Sequence, residues 1–161
     1  MHSFTYCVPT QIVFGGESVE KLPELLKERN ITRVLLVCGG QSAKKSGLLD
    51  RVEGLLQAAE VKFDVLSGVQ PNPRLSLARE GVKRALALSA QLILAVGGGS
   101  VIDTAKAVAH GAANPDVDIW EFWAKRAELR RTTPVGTILT IPAAGSETSD
   151  SAVLTNDELG L

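Results

Sequence analysis

Gln91-Leu92-Ile93-Leu94-Ala95-Val96-Gly97-Gly98-Gly99-Ser100-Val101-Ile102-Asp103 is the stretch on which the fold turns. Its first six residues are almost wholly apolar, as a strand covered on both faces must be. Three glycines interrupt the run, and a helix is predicted from about Val101 to His110. Parallel sheets bind ligands where loops open at the carboxyl ends of their strands. With no Cβ at Gly97, Gly98 or Gly99, a pyrophosphate could approach the backbone closely. The unpaired amides of the helix start and the helix dipole would favour its charge. Ser100 could cap the helix or donate to phosphate. A glycine triplet can also be a plain tight turn, and Ser100 with Asp103 also fits a capping box, which would make Asp103 structural.

Working outward, the two periodicities alternate. Thr10–Phe14 reads as a strand closed by Gly15-Gly16, and a helix follows from about Ser18 to Arg29. Arg33–Cys38 is a second buried strand, ending at Gly39-Gly40. Leu48, Val52, Leu55, Leu56 and Ala59 share one helical face. Val61–Val65 alternates as a strand, and Leu75, Ala78, Val82, Ala85 and Leu86 have helical spacing again. Strand, helix, strand, helix at these lengths predicts an α/β fold: a Rossmann-like, mostly parallel sheet flanked by helices, preceded by a hairpin-like β segment. Toward the end, Pro134–Ile141 and Ser151–Thr155 read as two strands joined by a Gly/Ser/Thr-rich loop.

Other loops after strands offer further binding positions. The turn Gly39-Gly40-Gln41-Ser42 carries no acid, whereas sites selecting NAD often place one near the ribose 2′-hydroxyl. With Lys44 and Lys45 beyond it, a 2′-phosphate would fit better here than beside a carboxylate. Equally, Ser42 could be an N-cap and the lysines a solvated helix face. Val69-Gln70-Pro71-Asn72-Pro73 is stiffened by its prolines and could wall a cofactor cleft or simply connect two elements. The Thr140–Thr148 loop supplies hydroxyls and a glycine for a ribose or nicotinamide contact. Trp120 and Trp123 read as packing residues, and His110 as a complement to a helix dipole.

Bulk properties exclude several classes. The 161 residues carry a net charge of −1, so no basic surface argues for nucleic acid or an anionic membrane as partner. No apolar run approaches the roughly 20 residues of a membrane span. The N-terminus lacks the order of a signal peptide, so a cytoplasmic location is expected. Cys7 and Cys38 match no metal or redox spacing; reduced thiols are the plain reading and a disulfide between them the alternative. No cluster of His, Cys, Asp or Glu has metal-site spacing, and no catalytic residue stands out.

Five segments taken in order resemble the N-terminal domain of the iron-containing (group III) alcohol dehydrogenase family, nearest its NADPH-dependent aldehyde reductase and butanol dehydrogenase branch. They are Pro9–Gly15, Gly39–Gly47, Pro71-Asn72-Pro73, Gly97–Asp103 and Leu139–Glu147. The resemblance implies that Gly97, Gly98, Gly99 and Ser100 hold the pyrophosphate, with Asp103 beside them. It places Gly39, Gly40 and Ser42 at the adenosine ribose, where this branch accommodates the 2′-phosphate of NADP; NAD is the alternative. Asn72 and Thr140 would line the cleft, Thr140 toward the nicotinamide. Family members often have threonine where Ala144 stands, so a hydroxyl contact is missing there.

The implied reaction moves a hydride between NADP(H) and an alcohol or aldehyde, with iron or zinc polarising the substrate oxygen. The family's metal ligands sit on a C-terminal all-helical domain. Residues 1–161 are therefore expected to form only the dinucleotide-binding domain of a longer enzyme, the metal-binding domain missing and the chain alone inactive. A homo-oligomer is expected, because the face that would meet the helical domain is apolar. Two other readings stand beside this one: an NAD-linked relative of glycerol dehydrogenase, and a non-catalytic nucleotide-binding or interaction module.

Overall fold

The computed structural model describes residues 9–40 and 46–160. Four parallel strands form one sheet in the order β2-β1-β3-β4: β1 Arg33–Gly39, β2 Lys62–Val69, β3 Leu92–Gly97 and β4 Val135–Leu139. Period-two alternation divides the two central strands between two cores. Leu35, Val37, Ile93 and Ala95 face one side; Val34, Leu36, Cys38, Leu92, Leu94 and Val96 face the other. Because both faces are covered, neither strand alternates in hydropathy, which is why each reads as a continuous apolar run.

The second face is closed by α1 (Leu22–Glu28) and α2 (Leu48–Ala58), which bury Leu22, Leu26, Leu49, Val52 and Leu56. The helix predicted from Ser18 begins as a 3-10 turn, Ser18–Lys21, and becomes α-helical at Leu22, with Pro23 in the first turn, where its missing N–H costs no hydrogen bond. The first face is closed by α3 (Leu75–Leu88) and α4 (Gly99–Ala113). These two helices meet through reciprocal dimples. A Cβ on Gly81 would lie 2.5 Å from Val108 Cγ2, and one on Gly111 would lie 2.4 Å from Val82 Cγ2.

The connection after β1 runs to one side and the connection after β2 returns across β1 to β3. Strand order therefore reverses between β1 and β3, and in open parallel sheets ligand crevices form at the carboxyl ends of the strands at such a point. The predicted βαβ arrangement is thus formed, and two predicted strands differ from the sequence reading. Thr10–Phe14 joins no ladder, and Phe14 is 99% exposed; the rest of the hairpin-like segment, residues 1–8, lies outside the described residues. An apolar alternation becomes a strand only where backbone partners are available. Ser151–Thr155 likewise forms no sheet strand. It makes one parallel bridge, Thr155 with Arg74, which seats it beside the start of α3. Trp120–Trp123 is a four-residue helix, α5, in the connection to β4, and both tryptophans pack against the first core as predicted.

Candidate functional site

Gly39 and Gly97 end the two central strands, and both abut one side chain. A Cβ on Gly97 would stand 2.6 Å from Val101 Cγ2, and one on Gly39 3.9 Å from the same atom. Gly97 is thus required by packing: the helix that follows turns back tightly over the strand end. Gly98 is extended and serves as the N-cap of α4, with no side chain capping the helix. Its carbonyl accepts from the amides of Val101 and Ile102 at 3.0 and 3.1 Å. The capping box is not formed, since the Asp103 carboxylate turns elsewhere.

Gly99 differs from its neighbours. It has no left-handed φ, and among the described residues nothing lies within 4 Å of a Cβ built on it. Neither backbone conformation nor packing asks for glycine there. The Val101 amide is taken by the Gly98 carbonyl, which leaves the amides of Gly99 and Ser100 without partners in the helix, and Gly99 leaves the space in front of them open. That is the geometry a phosphate cradle needs.

The remaining predicted residues fall around this edge. Gly40 follows β1 and is exposed; Ser42 lies outside the described residues. Asn72, after β2, holds a left-handed φ of 60°, a conformation asparagine tolerates better than most residues. Its loop is tied down by Thr155, whose amide donates to the Pro73 carbonyl at 2.8 Å. Thr140 follows β4, and its amide donates to the Gly97 carbonyl at 3.1 Å. The next residue, Ile141, reaches over the triplet, its Cβ 3.9 Å from one built on Gly98. Gly39, Gly40, Asn72, Gly97–Ser100 and Thr140 thus share the carboxyl edge of the sheet.

Asp103 sits one turn into α4. Its Oδ1 accepts from the Ser146 hydroxyl at 2.7 Å and its Oδ2 from the Val153 amide at 3.1 Å. Ser146 Oγ in turn accepts from Lys106 Nζ at 3.0 Å, and Lys106 also donates to the Ser151 carbonyl at 2.7 Å. Lys106 is 8% exposed. Burial pushes its ammonium down, opposed by the carboxylates of Asp103, Asp150 and Glu147. Lys106 and Ser146 were not singled out from the sequence. The available signal was an acid and a lysine three residues apart on one face of a helix otherwise rich in alanine and valine.

His110 stands in the last turn of α4, as its sequence reading placed it near a helix end. Burial is the main cause holding its imidazole below the ordinary value of 6.5, with a further push from Lys106. The ring bonds Thr132 Oγ1 through Nδ1 at 2.9 Å and lies 5.8 Å from the Trp123 ring, centre to centre. As pH falls below about 6.5 the unfolded chain takes up this proton first. Stability is therefore full above that value and declines toward the lower folded one. His110→Gln is expected to flatten the dependence of the urea midpoint on pH between 5 and 7; an unaltered slope would rule the ring out as its source.

The described residues contain no group of three or more His, Cys, Asp or Glu able to hold a metal, and no helix long and apolar enough to cross a membrane. They do not fit a metal centre. The fold defines a Rossmann-like domain with glycine-ended strands on either side of the strand reversal. Residues 9–161 match the model of the iron-containing alcohol dehydrogenases, and the chain belongs to that family.

Two relatives and one solved structure illustrate the match. The chain is 46% identical over 158 residues to "Probable NADH-dependent butanol dehydrogenase 1" of Bacillus subtilis, covering 98% of this chain and 40% of the relative. It is 35% identical to an NADPH-dependent aldehyde reductase of Escherichia coli, covering 99% of this chain and 41% of the relative. The crystal structure of NADH-dependent butanol dehydrogenase A from Thermotoga maritima superposes with a TM-score of 0.94 at 40% identity, covering 99% of this chain and 40% of that one. The chain thus spans about two fifths of the length of these relatives.

Proposed function

We propose that this chain is the NADP-binding domain of a metal-dependent alcohol dehydrogenase or aldehyde reductase, holding the dinucleotide across the carboxyl edge of the sheet. The observation that carries the reading is Gly99. Gly99 is the first residue of α4, beside two free helix-start amides, and neither φ nor contact accounts for a glycine there. Close approach of a pyrophosphate does. In this reading Gly97, Gly98, Gly99 and Ser100 hold the pyrophosphate, and Gly39, Gly40 and Ser42 lie at the adenosine ribose. Asn72 and Thr140 line opposite walls. Asp103 acts from behind the cradle.

When bound, the nicotinamide supplies or accepts the hydride exchanged with the carbonyl carbon of an aldehyde. The chain's own residues anchor and orient. The α4 amides neutralise the pyrophosphate, the two glycine turns admit its backbone, and the loop after β4 limits where the far half of the dinucleotide can lie. Iron or zinc, the alcohol or aldehyde substrate and homo-oligomer formation belong to the reading of the whole enzyme. The described residues hold no ligand set for that metal.

A second reading, NAD in place of NADP, is favoured by four relatives: two NADH-dependent butanol dehydrogenases, 37 and 38% identical, and two described as "Probable NADH-dependent butanol dehydrogenase", 46 and 42% identical. For NADP stands the acid-free turn at Gly39-Gly40-Gln41-Ser42. Fluorescence titration with NADPH and NADH decides between them. The first reading expects NADPH to bind about tenfold or more tightly, the worth of a charge-assisted contact to the 2′-phosphate. Tighter binding of NADH selects the second reading, and binding of neither would refute both.

A further inference from the structure

Apart from its cradle, α4 carries a largely buried polar chain that ties it to the loop after β4. Asp103, Ser146 and Lys106 are linked in series, and the chain ends on the backbone of Ser151 and Val153. The Ser146 hydroxyl donates to a carboxylate and accepts from an ammonium, so its orientation is set at both ends. Every partner outside α4 lies in one segment, the loop that follows β4. That loop is also tied at its start, where the Thr140 amide donates to the Gly97 carbonyl. Between the two ties Ile141–Ala144 is exposed, passing beside Gly98. The helix that presents the phosphate amides therefore also fixes the height of the loop above them.

We infer that Asp103, Ser146 and Lys106 are positioning residues, a latch that sets the Thr140–Gly145 loop over the glycine cradle and thereby the fit of the half of the dinucleotide beyond the pyrophosphate. The strand order gives this its direction. With β1 and β2 on one side of β3 and β4 on the other, a dinucleotide centred on Gly97–Ser100 and carrying its adenosine at Gly39 and Gly40 must send its other half toward β4. The latch touches neither half. It acts through the loop, and it rests on the dinucleotide reading proposed above.

The consequence is selective, which separates a latch from a merely structural bond. ADP fills the cradle and the adenosine side without reaching the β4 loop, whereas NADPH reaches both. In the 161-residue chain, Ser146→Ala is expected to weaken NADPH by about tenfold, on the scale of one lost charge-assisted hydrogen bond, and to leave ADP binding within about twofold. Ser146→Thr, which keeps the hydroxyl, should restore NADPH binding. If Ser146→Ala does not fold, Ser146→Cys keeps the shape with a much weaker donor and is expected to show the same selective loss. Equal weakening of ADP and NADPH, or no change in either, overturns the latch while leaving the binding reading in place. Failure of the unaltered chain to bind ADP or NADPH overturns that reading and the latch with it.

Discussion

Gly99→Val is expected to weaken dinucleotide binding by about a hundredfold while the chain stays folded. The magnitude follows from two amide–phosphate hydrogen bonds, each worth about 1.5 kcal/mol when one partner is charged. A side chain at Gly99 would stand in front of the first-turn amides of α4 and hold the phosphate beyond their reach. The fold is spared because, among the described residues, nothing lies within 4 Å of the new Cβ and φ is not left-handed. Isothermal titration with NADPH, paired with a thermal melt, reads both halves of the expectation. Unaltered affinity in Gly99→Val would remove the main support for a cradle at this edge. Gly97→Ala is the informative contrast: its Cβ meets Val101 at 2.6 Å, so it should lower stability as well as affinity.

The largest effect on stability is expected far from the site. Gly111→Val must fit a branched side chain where even the Cβ lies 2.4 Å from Val82 Cγ2 and 2.5 Å from Ile119 Cγ2. Overpacking of this kind costs about 3 kcal/mol, because the helices must separate or the side chains leave their rotamers. For a chain of this size that corresponds to a fall in Tm of roughly 6–12 °C. Val82→Ala, introduced together with Gly111→Ala, should recover part of what Gly111→Ala alone loses, since the two sites share one contact. A melt of Gly111→Val within a degree of the unaltered chain would show that α3 and α4 do not meet as closely as described.

Much of the fold was legible in the sequence because two physical codes coincide there. Val34–Cys38 and Leu92–Val96 are apolar throughout, and such runs are stable only where both faces of a sheet are covered. Leu75, Ala78 and Ala85 repeat at helical spacing and are buried on one face of α3. Elsewhere local pattern met a condition it cannot express. Thr10–Phe14 and Ser151–Thr155 have strand-like composition, yet neither forms a sheet strand. Whether such a segment enters a ladder depends on free backbone partners elsewhere in the molecule.

The same division holds at the site. The sequence alone determined that the chain alternates strand and helix, that a glycine triplet separates a buried strand from a helix, and that glycine follows both central strands. Those are properties of neighbouring residues, and local sterics and hydropathy suffice to read them. The glycine triplet was itself ambiguous between a tight turn and a cradle. Tertiary structure assigned its members separately: Gly97 is demanded by Val101, Gly98 caps the helix, and Gly99 is demanded by nothing in the described protein. Asp103 changed most. Local spacing suggested a partner three residues back at Ser100, but its carboxylate reaches 43 residues on to Ser146, with Lys106 on the far side of that hydroxyl. Burial decided this. A carboxylate and an ammonium facing the interior must find partners wherever the packed chain supplies them, and only the folded arrangement brings the β4 loop there.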